Sequence, residues 1–110
     1  MTRVIVTGAT GRMGRRVIDL LRADATFQLA GALTHATHTM QGRDVGEVAG
    51  TGPLGVPLSA DLAALLPQAD VVIDFSVPQA SLAYLEQAAT QGKAMVIGTT
   101  GFTAAHQDII

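Results

Sequence analysis

Three evenly spaced glycines near the amino terminus constrain the fold of this chain more than any other feature. Gly8, Gly11 and Gly14 directly follow residues 3–7, a short run rich in β-branched side chains that predicts a buried strand. The glycines are followed by a segment, residues 12–23, whose apolar side chains recur at helical spacing: Met13, Val17, Ile18 and Leu21. A strand, a glycine-rich turn and a helix in this order are the context that a phosphate-binding loop requires.

Each glycine of this loop has a separate expected role. Gly8 lets the chain turn tightly off the strand, Gly11 lets the backbone approach a pyrophosphate, and Gly14 lets the helix pack close to the sheet. The helix amino terminus offers free N–H groups and a partial positive charge to phosphates. No Lys-Ser or Lys-Thr pair follows, which excludes a Walker A loop. We therefore predict that the whole loop binds a dinucleotide: Gly8, Ala9, Thr10, Gly11, Arg12, Met13 and Gly14.

The rest of the chain alternates between strands and helices. Strands are predicted at residues 27–33, 70–75 and 94–97, with a short helix at 61–66 ended by Pro67. Residues 34–55 are rich in glycine and are predicted to be mostly loop. This order indicates parallel strands joined by helical crossovers. We predict an α/β fold, a Rossmann-like doubly wound parallel sheet, forming a single dinucleotide-binding domain over residues 1–110.

The segment after the 70–75 strand carries a helix start signal. Ser76 is predicted as the N-cap, Pro78 lies in the first turn, and Gln79 completes a capping box. The helix is expected to end near Gly92. Further along, residues 98–101 read as a turn, and Thr103 is expected to cap a last helix.

Composition excludes several classes of protein. Hydrophobic residues make up 48% and charged residues 15% of the chain, enough for a core and too few charges for disorder. The net charge is −2, and the cluster of Arg12, Arg15 and Arg16 is too small for a nucleic-acid interface. There is no cysteine, and no apolar run approaches the roughly 20 residues that cross a bilayer. We expect a cytoplasmic protein without nucleic-acid or membrane partners.

The end of the second predicted strand bears on the choice of cofactor. NAD-selective domains usually place a carboxylate there to hold the ribose 2′-hydroxyl, whereas this chain has Thr34 and His35. Nothing at this position would repel a 2′-phosphate. Arg12, and His35 when protonated, are candidate partners for that phosphate. The cofactor is therefore predicted to be NADPH or NADH, and the site is predicted to accept NADPH. In the competing interpretation, Arg12, Arg15 and Arg16 form only a solvated helix face.

Three segments, residues 4–14, 72–78 and 96–102, together resemble the N-terminal half of the dihydrodipicolinate (4-hydroxy-tetrahydrodipicolinate) reductases. Residues 44–50 are similar to that family as well. The resemblance implies hydride transfer from NADH or NADPH to a small-molecule substrate in the diaminopimelate route to lysine. It also implies that residues 8–13 hold the pyrophosphate and that Thr34 and His35 face the adenosine ribose. The nicotinamide would lie beside Phe75, Ser76, Gly98, Thr99 and Thr100.

The same resemblance implies that part of the enzyme lies elsewhere. The family's proton donor and substrate-binding residues belong to a C-terminal domain with a His-His-x-x-Lys motif, which these 110 residues lack. We therefore expect no catalytic residue in this chain and no stable tetramer from it, although the full-length protein is expected to be a homotetramer. The chain ends at Ile110 within an apolar helical pattern, which led us to expect the front part of a longer protein.

Other interpretations remain open from the sequence. His35 and His38 have a conceivable metal spacing but no neighbouring ligand, so solvated histidines are favoured and no metal is expected. Asp70 and Asp74 flank one strand, and Asp74 is expected to hydrogen-bond the following turn rather than to act as half of a catalytic pair. Ser76 lacks a nucleophile elbow. A non-catalytic NAD(P) sensor of the short-chain-reductase-like type is the main functional alternative, followed by a nucleotide- or CoA-binding domain without redox activity.

Overall fold

A single parallel sheet organises the chain in the computed structural model, which describes residues 2–35, 39–50 and 52–98. Its strands are β1 (Thr2–Val6), β2 (Phe27–Leu33), β3 (Leu58–Ser59), β4 (Val71–Asp74) and β5 (Ala94–Ile97). The helices are α1 (Arg12–Arg22), α2 (Val45–Val48), α3 (Leu62–Leu65) and α4 (Pro78–Thr90), and a 3₁₀ turn (Leu66–Gln68) follows α3. The strand order is β3-β2-β1-β4-β5, and every pairing is parallel.

The strand order creates a topological switch point between β1 and β4. From β1 the chain moves outward through β2 to β3, and it then returns to place β4 on the other side of β1. Connections leaving the carboxyl ends of β1 and β4 therefore diverge to opposite sides, which opens a crevice between them. Ligands of open α/β sheets bind in such crevices.

Helices cover both faces of the sheet, as the sequence predicts for a doubly wound fold. On one face, Val4 and Val6 of β1 pack with Ile18 of α1 in a buried cluster that also includes Val45 of α2. On the other face, Ile5, Leu33 and Val72 form a second buried cluster with α3 and α4. Because side chains alternate across a strand, neighbouring residues of β1 enter opposite cores.

Two elements between residues 34 and 61 were not predicted. Strand β3 has two residues, too few to show a periodic pattern, and the four residues of helix α2 lie in a stretch whose glycines favour a loop. The Asp44 carboxylate organises this segment by accepting hydrogen bonds from the backbone N–H groups of Glu47, Leu54 and Val56. These bonds, above all that from Leu54, lower the pKa of Asp44. The Asp44 side chain thus holds the segment together with backbone bonds, such as that from the Val45 N–H to the Val56 carbonyl at 2.9 Å.

One local prediction is wrong. Ser76 is not the N-cap of α4, because Val77 occupies that position and no side chain caps the helix, so no capping box forms with Gln79. The Ser76 hydroxyl instead donates to the Asp74 carboxylate at 2.6 Å. Met13 is 51% exposed, so it does not share the buried face of α1 with Ile18 and Leu21. The predicted Pro78 start and Gly92 stop of α4 are confirmed, Gly92 having φ +68°.

The sheet core is expected to dominate stability. Leu33→Ala removes a fully buried side chain and should lower the free energy of unfolding by about 3 kcal/mol, through lost transfer energy and a residual cavity. Leu20→Ala is the matched control, because Leu20 is 69% exposed and its loss should change stability by less than about 0.5 kcal/mol. Urea denaturation followed by circular dichroism measures both, and equal effects would contradict the proposed core.

Candidate functional site

The glycine loop connects β1 to α1 in a conformation that only glycine adopts easily. Gly8 has φ +61°, and a Cβ atom added there would lie 2.4 Å from the carbonyl oxygen of Phe75. The backbone of the loop therefore approaches the β4–α4 connection more closely than any side chain allows. Gly8 serves the tight turn, as predicted, and also brings the two sides of the crevice together.

The other two glycines have different surroundings. A Cβ atom at Gly14 would lie 2.2 Å from the carbonyl oxygen of Gly8, so Gly14 permits the close packing of α1 that the sequence predicts. At Gly11 the nearest such contact is 3.3 Å, to the same oxygen, and the space beyond is open. Gly11 is also the N-cap of α1, where no side chain caps the helix. The first N–H groups of a helix lack intrahelical partners, so this end is suited to an anionic phosphate.

The opposite wall of the crevice is held by a buried carboxylate. Asp74, at the end of β4, accepts hydrogen bonds from the hydroxyl groups of Thr7, Ser76 and Ser81. The backbone N–H of Ser76 also donates to it at 3.3 Å, which confirms that Asp74 bonds the turn into the following helix. Thr7 in turn accepts a hydrogen bond from the Phe75 backbone N–H at 3.2 Å. The end of β1, the β4–α4 turn and α4 are thereby joined at one point.

Asp74 and Asp70 lie at opposite ends of β4, so they do not form a carboxylate pair. Asp70 is exposed and pairs with Arg3 at 3.3 Å. Hydrogen bonds from the backbone and side chain of Arg3 lower the pKa of Asp70. Asp70 therefore joins the amino ends of β1 and β4, far from the crevice at their carboxyl ends.

Two adjoining cavities open at the carboxyl edge of the sheet, and both are lined by Gly8, Gly11, Phe75 and Ser76. The first, of about 260 Å³, extends toward the end of β2 and is also lined by Thr10, Thr34 and His35. The second, of about 310 Å³, extends toward the end of β5 and is also lined by Arg12, Met13, Gly14 and Gly98. A dinucleotide has two halves joined by a pyrophosphate, and this arrangement of two cavities around a glycine loop matches that shape.

Most of the sequence-predicted residues come together here. Ala9 is the exception among the described ones, because it is buried in the core and its N–H donates to the carbonyl of Leu33 at 2.9 Å. Thr99 and Thr100 lie outside the described residues, as do His38, Thr103 and the part of the predicted turn that follows Gly98.

Three lining residues were missed by the sequence reasoning. Val77, Ala80 and Tyr84 of the α4 region form one wall of the first cavity. Ala80 and Tyr84, four residues apart, lie on one face of α4, and Val77 is its N-cap. The spacing of Ala80 and Tyr84 was available in the sequence. Burial raises the pKa of Tyr84, and the negative charge of Asp74 adds to the increase. Tyr84 therefore stays a neutral hydrogen-bonding and apolar surface at physiological pH.

The first cavity, where the adenosine ribose is predicted to bind, has no carboxylate among its lining residues. Thr34 is almost fully buried, and its hydroxyl lies 3.3 Å from that of Thr10. Arg12 lines the second cavity rather than the first, so it does not share a cavity with Thr34 and His35. Arg15 points elsewhere and donates to the carbonyl of Ala49 at 3.2 Å, which gives it a role in holding the segment after α2.

A larger cavity, of about 670 Å³, lies between the start of β2 and the segment before β3, lined by Arg3, Gln28 and Pro57 among others. It is at the amino end of the strands and lacks the glycine loop, so we do not assign it to a dinucleotide. Within the described part of the chain, no three His, Cys, Asp or Glu residues are grouped as metal ligands. Every helix among the described residues is too short or too polar to span a bilayer.

The parallel sheet and the glycine loop at its switch point define a dinucleotide-binding domain of the dehydrogenase and reductase class. A family model described as dihydrodipicolinate reductase, N-terminus, matches residues 2–110. The chain belongs to this family. The resemblance of the three sequence segments is thus confirmed.

Individual relatives are similar to this chain in sequence or in fold. The 4-hydroxy-tetrahydrodipicolinate reductase of Anaeromyxobacter dehalogenans is 48% identical over 103 residues, which cover 94% of this chain and 38% of that protein. A dihydrodipicolinate reductase from Paenisporosarcina, solved with dipicolinate, has a TM-score of 0.75 at 24% identity, covering 98% of this chain and 41% of that one. An amine dehydrogenase from Mycobacterium smegmatis has a TM-score of 0.76 at 29% identity, covering 87% and 29%. The chain therefore spans about two fifths of the length of the reductases that it matches.

The Asp74 cluster should be essential to the fold of the crevice. Asp74→Ala leaves the hydroxyls of Thr7 and Ser81 buried without their acceptor, and should lower the free energy of unfolding by about 3 kcal/mol. Asp19→Ala is the matched control, because Asp19 is exposed on α1 and pairs only loosely with Arg22 at 3.9 Å. Its loss should have an effect below about 0.5 kcal/mol. Thermal and urea unfolding compare the two, and a neutral Asp74→Ala would contradict this role.

Proposed function

We propose that this chain is the NAD(P)H-binding domain of a 4-hydroxy-tetrahydrodipicolinate reductase, the enzyme that forms tetrahydrodipicolinate in the diaminopimelate route to lysine. The observation that supports the proposal most directly is the glycine loop, which faces the Phe75–Ser76 turn across a cleft at the switch point. A relative that bears the reductase name is 48% identical to this chain over 103 aligned residues.

Different residues of the cleft would bind different parts of the dinucleotide. The open space at Gly11 and the uncapped start of α1 would receive the pyrophosphate through backbone N–H groups. Phe75, Ser76 and Gly98 would border the nicotinamide, together with Thr99 and Thr100. Gly98 permits this arrangement because a Cβ atom there would lie 2.3 Å from the Phe75 ring. The bound dinucleotide supplies the hydride, and this chain holds and orients it.

At the adenosine end, the proposal is that NADPH is accepted. Thr34 and His35 place no negative charge in the first cavity, so the repulsion that excludes a 2′-phosphate is missing. His35 is exposed and gains positive charge when protonated, which would favour that phosphate. Arg12, in the second cavity, would contact the pyrophosphate rather than the 2′-phosphate.

The proposal assigns catalysis to the remainder of the enzyme. The His-His-x-x-Lys motif that the family resemblance associates with proton donation is absent from these 110 residues. The chain alone should therefore bind the dinucleotide without oxidising it, and the substrate would bind through the C-terminal domain. The homotetramer implied by the resemblance would depend on that domain as well. We also propose that the protein is cytoplasmic and has no nucleic-acid or membrane partners, as expected from its composition.

A substitution at Gly11 should separate binding from folding. Gly11→Ala adds a methyl group at the position proposed for the pyrophosphate, and we expect at least a 10-fold loss of NADPH affinity, equivalent to about 1.4 kcal/mol. Gly92→Ala is the control, because Gly92 has φ +68° at the end of α4, away from the cleft. It should reduce stability slightly without changing affinity. Isothermal titration calorimetry measures both, and unchanged binding by Gly11→Ala would argue against the proposed site.

Adding a carboxylate at the end of β2 tests whether its absence allows NADPH to bind. His35→Asp should repel a 2′-phosphate and favour the 2′-hydroxyl, shifting the ratio of NADPH to NADH affinity at least 10-fold toward NADH. His35→Asn is the control, because it has similar size without the charge. Fluorescence titration with both cofactors gives the ratio. NADH binding much more tightly than NADPH to the unmodified chain would overturn the cofactor proposal.

A further inference from the structure

The turn at the end of β2 is held by a side chain from a different segment. The amide nitrogen of Gln41 lies 3.1 Å from the carbonyl oxygen of Thr34 and 2.9 Å from that of His35. Both partners are acceptors, so only the nitrogen of the amide, with its two hydrogens, can face them. Gln41 therefore bridges two consecutive carbonyl groups at the position where the adenosine ribose is proposed to bind.

The two bridged residues differ in how firmly other elements hold them. Thr34 is buried, its N–H donates to the carbonyl of Ser59 at 3.0 Å, and its hydroxyl meets Thr10 at 3.3 Å. His35 is exposed at the rim of the first cavity. The contact from Gln41 thus fixes the backbone one residue beyond Thr34, at His35, the residue proposed to face the ribose 2′ position.

Gln41 lies on a backbone that is itself fixed to the sheet. The N–H of Gly42 donates to the carbonyl of Leu58 at 2.9 Å, and the N–H of Leu58 donates to the carbonyl of Arg43 at 2.8 Å. Because Leu58 belongs to β3, which pairs with the end of β2, the segment and the turn share one support. The Gln41 side chain is therefore carried by a backbone that β3 holds, so its amide can fix the positions of the Thr34 and His35 carbonyl groups.

We propose that Gln41 is a positioning residue for the adenosine site and determines how well the cleft accepts a 2′-phosphate relative to a 2′-hydroxyl. It acts through the Thr34–His35 backbone and does not itself touch the dinucleotide. The inference rests on the proposed function, because it assigns a role within the proposed dinucleotide site.

The test compares two small probes that differ at the 2′ position. Adenosine 2′,5′-bisphosphate carries the 2′-phosphate and 5′-AMP does not, and both are titrated into the 110-residue chain by calorimetry. Gln41→Leu keeps a side chain of similar size and removes both donors. We expect its affinity for adenosine 2′,5′-bisphosphate to fall about 5-fold, the effect of one or two lost hydrogen bonds, while that for 5′-AMP changes less than about 2-fold.

The ratio of the two affinities distinguishes positioning from a general loss of stability. The folded fraction of each variant is the same in the titrations with the two probes. Partial unfolding therefore lowers both apparent affinities together and leaves their ratio unchanged. Gln28→Leu is the matched control, because Gln28 is an exposed glutamine near the start of β2, at the opposite end from the cleft. Its ratio should equal that of the unmodified chain.

The outcomes separate the two proposals. An unchanged ratio in Gln41→Leu, whether or not both affinities fall, would overturn the role of Gln41 and leave the dinucleotide site in place. An equal shift in Gln28→Leu would also overturn it. If the unmodified chain bound none of the four ligands (adenosine 2′,5′-bisphosphate, 5′-AMP, NADPH and NADH), the proposed function would be refuted, and the inference with it. A selective loss for the 2′-phosphorylated probe supports the proposal.

Discussion

The buried carboxylate of Asp74 is the interaction on which the cleft depends. A charge removed from water is tolerated only when hydrogen-bond donors surround it, and here the donors come from the residue after β1, the β4–α4 turn and α4. The requirement of one side chain thus joins Thr7 to Asp74, 67 residues further along the chain, and to the turn and helix that follow Asp74. The same contacts place Phe75 against Gly8 on one side and Gly98 on the other, which sets the shape of both cavities.

The glycine loop completes the cleft by allowing backbone to approach backbone. Gly8 and Gly14 make room for neighbouring main chain, whereas Gly11 leaves open space toward the cavities. The loop therefore contains two packing glycines and one that is suited to a ligand. This division explains why a motif spaced differently from the familiar dinucleotide fingerprint can perform the same tasks.

Prediction from sequence worked where side-chain periodicity was long enough to be read. Four of the five strands, three of the helices and most of the cleft residues were predicted, because β-branched runs and helical repeats reflect burial directly. Strand β3 was missed because two residues carry no period, and helix α2 because the glycines around it favour a loop. Ser76 was misassigned because a serine before a helix is usually its cap, and a local rule cannot include a buried carboxylate that competes for the hydroxyl.

The sequence by itself determined the class of fold, the position of the phosphate loop and the family, because these follow from glycine spacing, local periodicity and short motifs. Tertiary structure alone decided which residues meet across the cleft. Tyr84 reaches the cavity from α4, Gln41 bridges the carbonyls after β2, and Arg12 lies apart from His35. The physical reason is that strand order and crossover direction decide which distant residues meet at one edge of the sheet. The Gln41 contact spans only six and seven residues, but it depends on the backbone bond that anchors Gly42 to β3.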